Sequence, residues 1–467
     1  MSVVKQFDLH PIPAVSVLRS VVLPLVVAAL SVPAAAADSR IRGRAVTPIE
    51  THEHQGVTPR PPEKPGGVTR ALRRFEYVAA EGEELVFREP TVVRWEPRIA
   101  SIDGEMRERT FEAGERQVCN AVTFSAVGVG GGIWEYVCTR LVEAITIPEL
   151  MPQTTGTPYV DPRLQMGARR GYAREMLGPS LGAHQWRPGP GGEFRISCHV
   201  SHMGFEDPIL APGREFWHHH TFAGNARVDR HTKDMRDKPD AGLCAGGNIN
   251  RTAYWFPSVI DTRFGMPIVP AGTVIYYKGD PDSLPSKNLR MITGDPMRKT
   301  PRDPNVFPVS MWTCYLPDGK TLTQGLQDEI PAACPVGGRI VWTVGFPQCW
   351  DGQNDDSADH KSHVWSRAHN KPGMALLRND CPATHPKRLF DLVINVHYLV
   401  RHGDDVSRWR LSSDAYEWSK PAGYSAHADW WNGWDMEFLA AIKRECHDKN
   451  RNCGADNAPD TRRMNLK

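Results

Sequence analysis

The chain has 467 residues, 40% of them hydrophobic and 24% charged, with 56 Lys plus Arg against 54 Asp plus Glu for a net charge of +2. That balance excludes a general nucleic-acid binder, which needs a basic excess to neutralise phosphates, and the hydrophobic fraction excludes both a disordered chain and a membrane bundle. The 40 glycines and 39 prolines favour short strands joined by turns and long loops over helical bundles.

At the N-terminus, Lys5 and Arg19 precede an apolar run at 21–30 that leads into Pro33 and Ala34-Ala35-Ala36-Ala37. This charged, apolar, then small-residue order predicts a secretory signal peptide over 1–37, cleaved after Ala37. The run is too short to span a bilayer, so the expected location is secreted or periplasmic, with no membrane span after cleavage. In an oxidising compartment the ten cysteines read as disulfides rather than zinc ligands, and none forms a Cys-x-x-Cys pair. Spacing nominates Cys119 with Cys138, Cys314 with Cys334 and Cys446 with Cys453, although spacing alone does not fix connectivity.

Residues 38–74, rich in Arg and Pro, read as an extended linker. Residues 75–190 form an N-terminal β-rich region, with a hairpin bridged by Cys119 and Cys138. The core domain runs over 191–455, followed by a polar tail at 456–467. Within the core the apolar stretches 194–196, 273–277, 339–344 and 392–400 are short, and the last two alternate or are β-branched, as half-buried strands are. Helical spacing occurs only near the end, where Met436, Leu439, Ala440 and Ile442 predict a helix over 435–447. The expected fold is mainly β, a β-sandwich or jelly-roll-like core with long disulfide-stapled loops and a short C-terminal helix.

Histidines and carboxylates gather in motifs inside this core. In His218-His219-His220 the first and third side chains share a strand face, as do His427 and Asp429 across Ala428. Asp359-His360-Lys361-Ser362-His363 places two imidazoles three residues apart on a turn, with a carboxylate to ligate or orient them. Asp207 follows a further His pair, His199 and His202, and Asp351 precedes the turn motif. The candidate catalytic residues are therefore Asp207, His218, His220, Asp351, Asp359, His360, His363, His427 and Asp429. His218, His220, His360, His363 and His427 are the candidate metal ligands, for zinc, manganese, iron or copper. The same groups would also serve as a general acid and base without an ion. At least three of these imidazoles, with Asp359 or Asp429, are expected to converge on one pocket.

Tryptophans are interleaved with the motifs, above all in Trp430-Trp431-Asn432-Gly433-Trp434. Tyr254, Trp255, Tyr276, Arg290, Trp350, Trp430 and Trp431 are the candidate contacts to sugar rings and hydroxyls. The competing reading is ordinary core packing, since tryptophan is highly buried on average. No Gly-x-Ser-x-Gly elbow and no Gly-x-Gly-x-x-Gly loop before a helix is present.

Several of these segments occur in a familiar order: Asp207-Pro208-Ile209, His218-His219-His220-Thr221-Phe222-Ala223-Gly224, Asn250-Arg251-Thr252-Ala253-Tyr254-Trp255, Phe346-Pro347-Gln348-Cys349-Trp350-Asp351-Gly352, Asp359-His360-Lys361-Ser362-His363 and His427-Ala428-Asp429-Trp430. Over roughly residues 195–453 the chain resembles a family of secreted fungal and bacterial proteins described as a domain of unknown function, some fungal members of which carry a WSC carbohydrate-binding domain. The resemblance implies export, disulfides and association with cell-wall or extracellular polysaccharide. It also implies that the first and third His of the triplet matter most, which matches His218 and His220 and leaves His219 aside. The expected function is a secreted carbohydrate-active enzyme, a hydrolase or lyase acting through the His/Asp site with or without a metal. The alternatives are a non-catalytic secreted binder of metal or glycan, and another metal-dependent hydrolase such as a phosphoesterase.

Overall fold

Alternating apolar residues, many of them β-branched or aromatic, build the core strands. The computed structural model describes residues 150, 152–161, 191–238, 240–304, 309–322, 327–366, 381–400, 404–459 and 464, together with strand backbone between 44 and 188 and at 462–463. Residues 1–37, read as a signal peptide, and the side chains of Cys119 and Cys138 lie outside the described residues. Strand backbone occurs at Arg44–Ala45 and Val68–Val78, within and across the end of the segment read as a linker, and Val68–Val78 pairs antiparallel with Val137–Pro148.

In chain order the core strands begin with β1 (Glu193–Cys198), β2 (Val200–Gly204), β3 (His220–Ala223), β4 (Ala253–Pro257), β5 (Gly272–Lys278) and β6 (Arg290–Gly294). They continue with β7 (Ser310–Tyr315), β8 (Arg339–Gly345), β9 (Asp391–Leu399), β10 (His427–Trp431) and β11 (Arg451–Ala455). One sheet runs Arg187–Pro188, β11, β1, β5, β9, β8, β7, and a second runs β2, β3, β4, β10, β6. In the first, Phe194, Ile196, Ile275, Tyr277, Trp342, Ile394 and Val396 turn inward. In the second, Ala223, Tyr254, Phe256, Met291, Ala428 and Trp430 join the same buried cluster, so the two sheets form a β-sandwich around one core.

The period of two sends the intervening residues of the second sheet to its other face. There Phe222, Trp255, Ile292 and Trp431 pack beneath Ile209, Val228 and Met235 of the connections on either side of β3. The five-stranded sheet is therefore buried on both faces. After β10 the chain enters α1 (Met436–Ile442), whose first turn is capped by Asp435 accepting from the Phe438 N–H, and then a π-helical turn at Lys443–His447.

Among the described residues four disulfides staple the loops: Cys198–Cys244, Cys314–Cys334, Cys349–Cys381 and Cys446–Cys453. The second and fourth are pairs that spacing nominates. The other two join residues 46 and 32 apart, which no local pattern singles out. Among the described residues no cysteine is free, and no helix is long and apolar enough to cross a membrane.

Burial has a titratable consequence at β2. His202 stacks on Phe222 with ring centroids 4.3 Å apart. Burial pulls its imidazole down to about 4, partly offset by the Asp229 carboxylate. Unfolded, it titrates near 6.5. Between these values the unfolded chain binds the extra proton, so the stability this ring contributes is present above about pH 6.5 and lost as pH falls toward 4. His202→Gln is expected to flatten the acid limb of the urea midpoint against pH, by up to about 1.4 kcal/mol per pH unit. An unchanged limb would show that the ring is not held neutral.

Candidate metal centre

The outer face of the five-stranded sheet carries polar residues as well as the apolar ones. His427, Asp429 and Trp431 alternate on β10, and Asp429 lies opposite Trp255 of β4 and Ile292 of β6. His220 opens β3 on the same face as Phe222, which pairs with Trp255. His218 precedes β3, and Asp207 follows β2, where its Oδ1 accepts from the N–H groups of Ile209 and Leu210 at 2.9 and 2.8 Å. Ligand atoms of His218, His220 and His427 lie within 4.8 Å of one another, as do those of Asp207, His220 and Asp429. All five side chains are at most 1% exposed.

Hydrogen bonds orient two of the rings. His220 Nδ1 donates to the Glu206 carbonyl at 2.7 Å, and His427 Nδ1 donates to the Ser425 carbonyl at 2.8 Å. A carbonyl only accepts, so both rings carry their proton on Nδ1 and present the Nε2 lone pair to the cluster. His218 Nε2 sits 3.1 Å from His427 Nε2. The Ser425 turn is held by Asp414, which accepts from Ser425 Oγ at 2.7 Å and from the Gly423 N–H at 2.8 Å. At Gly294, opposite His427, φ is +83° and a side chain would strike the Ala426 carbonyl and the His427 backbone, so only glycine fits. His220 Nε2, Asp207 Oδ2 and both Asp429 oxygens have no hydrogen-bond partner among the described residues.

The electrostatics follow from this burial. Desolvation, reinforced by neighbouring imidazoles, holds His218 and His220 well below the usual histidine range, and burial brings His427 to about 4. Burial and the nearby Asp207 carboxylate push Asp429 well above the carboxylate range. Asp207 rises to about 6, burial outweighing the amides of Leu210 and Ile209. Near neutrality the imidazoles are uncharged, which is the form that ligates metal. A divalent cation would favour the ionised carboxylates that burial opposes.

The Asp-His-x-x-His motif does not join the cluster as ligands. His363 has both nitrogens engaged, Nε2 with the Arg290 carbonyl at 2.8 Å and Nδ1 with Ser357 Oγ at 2.9 Å, so it fastens its loop to β6. Asp359 accepts from the N–H groups of Ser362 and Lys361 and from Ser357 Oγ, which holds its carboxyl below the usual range and closes the turn. Asp351 does the same for Gln353 and Asn354. His360 turns its Nδ1 to both oxygens of Asp356, at 2.9 and 3.0 Å. Three of the five imidazoles expected as ligands thus meet, and Asp429 rather than Asp359 accompanies them. His219 bonds Ser258 Oγ through Nδ1 and stands outside the cluster.

Strand alternation decides where the expected sugar contacts lie. Trp430 faces the sandwich core, and Trp431 is covered on the other face, its indole N–H donating to Asn288 Oδ1 at 2.7 Å. Tyr254 shares a 2.8 Å bond with the Tyr277 hydroxyl, and Trp255 lies beside Asp207. Trp350 and Tyr276 are each 8% exposed. Arg290 lies 3.9 Å above the Trp431 ring and reaches Asp356 at 3.0 Å. None of these tryptophans presents a ring face to solvent. Sequence reasoning passed over Phe216 and Trp217, half-buried rings 4.8 and 4.2 Å from His218, although they immediately precede the triplet. The carbonyls of Glu206 and Ser425 leave no side-chain signal to find.

Residues 207–434 match the model of a family described as Domain of unknown function (DUF1996). This segment is similar to the DUF1996 family. It is the family that the order of motifs resembles, and its span runs from Asp207 to Trp434 and contains all five cluster residues. Of the two sheets, the DUF1996 segment supplies β3, β4 and β5 through β10, whereas β1, β2 and β11 lie outside it. No curated protein and no solved structure matches the chain.

Proposed function

We propose that the DUF1996-like domain is a metalloprotein holding a divalent transition-metal ion between His218, His220 and His427, with Asp429 and Asp207 completing the donor set. One observation carries this reading: three neutral imidazoles converge with unpartnered carboxylate oxygens where almost no solvent reaches. Burying such groups without partners costs free energy, and a cation removes that cost. Imidazole and carboxylate together suit zinc, manganese or iron. A structural ion typically holds together a chain with too little core of its own. Here a two-sheet core and four disulfides already do so, which supports a catalytic role. The reaction class attached to the centre is hydrolytic or lyase chemistry on extracellular polysaccharide, and the disulfides support an exported protein.

Protein exported to a bacterial periplasm and purified without a His tag is expected to carry about one equivalent of such a metal per chain, measured by mass spectrometry of the elements. Stripping with chelator should lower Tm, and adding metal at about a thousandfold over Kd should restore about 4 kcal/mol. Substoichiometric metal with no effect on Tm would remove the reading. Bound metal without turnover on a polysaccharide panel would favour the non-catalytic binder.

A further inference from the structure

Beside the metal centre stands a second constellation that the ligand set does not use. His360 adopts a left-handed backbone, φ 56°, at a turn position better suited to Gly or Asn. Its Nδ1 is held between the two oxygens of Asp356, which fixes the proton there and leaves Nε2 with its lone pair. Asp356 is itself fixed by Arg290 Nη1 at 3.0 Å and by the Ser357 N–H at 2.9 Å. The Arg290 guanidinium in turn rests on Trp431, two residues from Asp429 on the same face of β10. A carboxylate, an imidazole and a packed arginine thus form a chain of orientation ending in a partly exposed imidazole.

The same loop is pinned over the cluster. Next to His360, Lys361 Nζ donates to the Gly294 carbonyl at 3.3 Å, and Gly294 is the ladder partner of His427. His363 fastens the far side of the turn to the Arg290 carbonyl. Electrostatics agree with this placement: Asp207 senses the His360 charge, and His427 and Asp429 both sense Lys361. The inner cluster has no exposed base of its own, since its imidazoles and carboxylates are at most 1% exposed.

We infer that the Asp356–His360 pair is the proton-transfer group of this centre, serving hydrolysis of a carboxylic ester carried by an extracellular polymer. The inference rests on the metal reading above. A glycosidic bond is ordinarily cleaved between two carboxylates that flank it, whereas a metal with an adjacent base suits addition of water to a carbonyl carbon. In the step, His360 Nε2 takes a proton from the attacking water as its oxygen bonds to the acyl carbon. The resulting imidazolium, stabilised by Asp356, then returns that proton to the alcohol oxygen as the acyl–oxygen bond breaks. The products are a carboxylic acid and an alcohol, and His360 ends neutral as it began.

The test uses full-length exported protein with its metal content measured and p-nitrophenyl acetate as the probe. The wild-type protein should accelerate hydrolysis above an equal concentration of free metal ion. His360→Asn, chosen because Asn tolerates the left-handed turn, should keep metal content and Tm while lowering kcat by about 100-fold or more. Asp356→Asn should lower kcat and displace the acid limb of its pH profile, which a merely structural role would not do. Equal rates for wild type and His360→Asn, or no acceleration by metal-loaded wild type, would overturn the inference and leave the metal centre standing. Loss of metal in His360→Asn would overturn it differently, by making His360 a ligand. Absence of metal from wild type would instead remove the centre itself, and the inference with it.

Discussion

Asp429→Asn is expected to stabilise the metal-free protein and to abolish its response to metal. Asp429 is fully buried, neither of its oxygens has a partner among the described residues, and Asp207 stands nearby. Its carboxyl titrates above the unfolded value, so the unfolded chain gives up that proton first. As pH rises from about 4 toward neutrality, this residue therefore lowers stability. A neutral amide of the same shape removes the ionisable group. The gain should grow as pH rises above about 4, by up to about 1.4 kcal/mol per pH unit, because the amide never has to ionise or hold a displaced proton. The same change takes an anionic donor from the centre. Metal affinity should fall by more than about 100-fold, the upper end for residues that act only through a ligand. Thermal melts in chelator and in excess zinc or manganese read both effects at once. A variant that melts lower in chelator and keeps the metal-induced rise would show that Asp429 serves the fold and not the ion.

Trp430→Ala should cost about 3–5 kcal/mol, the range for truncating a large aromatic side chain in a packed core. Trp430 is 1% exposed and shares the sandwich core with Tyr254, Tyr277 and Trp434. For a domain of this size the loss corresponds to a fall in Tm of roughly 6–20 °C. Trp434→Ala should behave alike, because its indole N–H also donates to the Tyr277 hydroxyl at 2.8 Å. Calorimetry of the variants together with a retention assay on insoluble polysaccharide separates packing from binding. Reduced retention at unchanged Tm would return these tryptophans to a sugar-contacting role.

The contrast between Trp430 and Asp429 shows what the sequence made legible. A strand period of two correctly pairs His427 with Asp429 on β10, whereas His218 lies in the bend before β3 and reaches His220 without that period. The same period decides which tryptophans face inward, but only once it is known that both faces of the sheet are covered. Ile209, Val228 and Met235 supply that cover from connections that carry no strand or helix signal of their own. Asp359 and His363 show the opposite failure. Their spacing is that of ligands, yet short-range bonds to Ser357, Lys361 and Ser362 satisfy the carboxylate first. Turn formation and metal ligation draw on the same residue types at the same spacing, so local pattern cannot separate them. The pairs Cys314–Cys334 and Cys446–Cys453 were readable because their loops are short. Cys198–Cys244 depended on a contact between β1 and a distant turn.

Ligand order along the chain has a consequence for timing. His218 and His427 touch across 209 residues, and β10, which carries His427 and Asp429, is inserted between β4 and β6. A ribosome adding about 5–20 residues per second needs roughly 10–40 s to travel from the first imidazole to the last. Throughout that interval the nascent chain owns two imidazoles and Asp207, exposed beside a sheet that lacks its fourth strand. On the proposed metal reading, capture of the ion is a terminal event in maturation, following the docking of β10. A protein arrested before that strand would bind metal no better than a flexible His-containing peptide, and pulse-labelled chains should acquire protease resistance before they acquire metal.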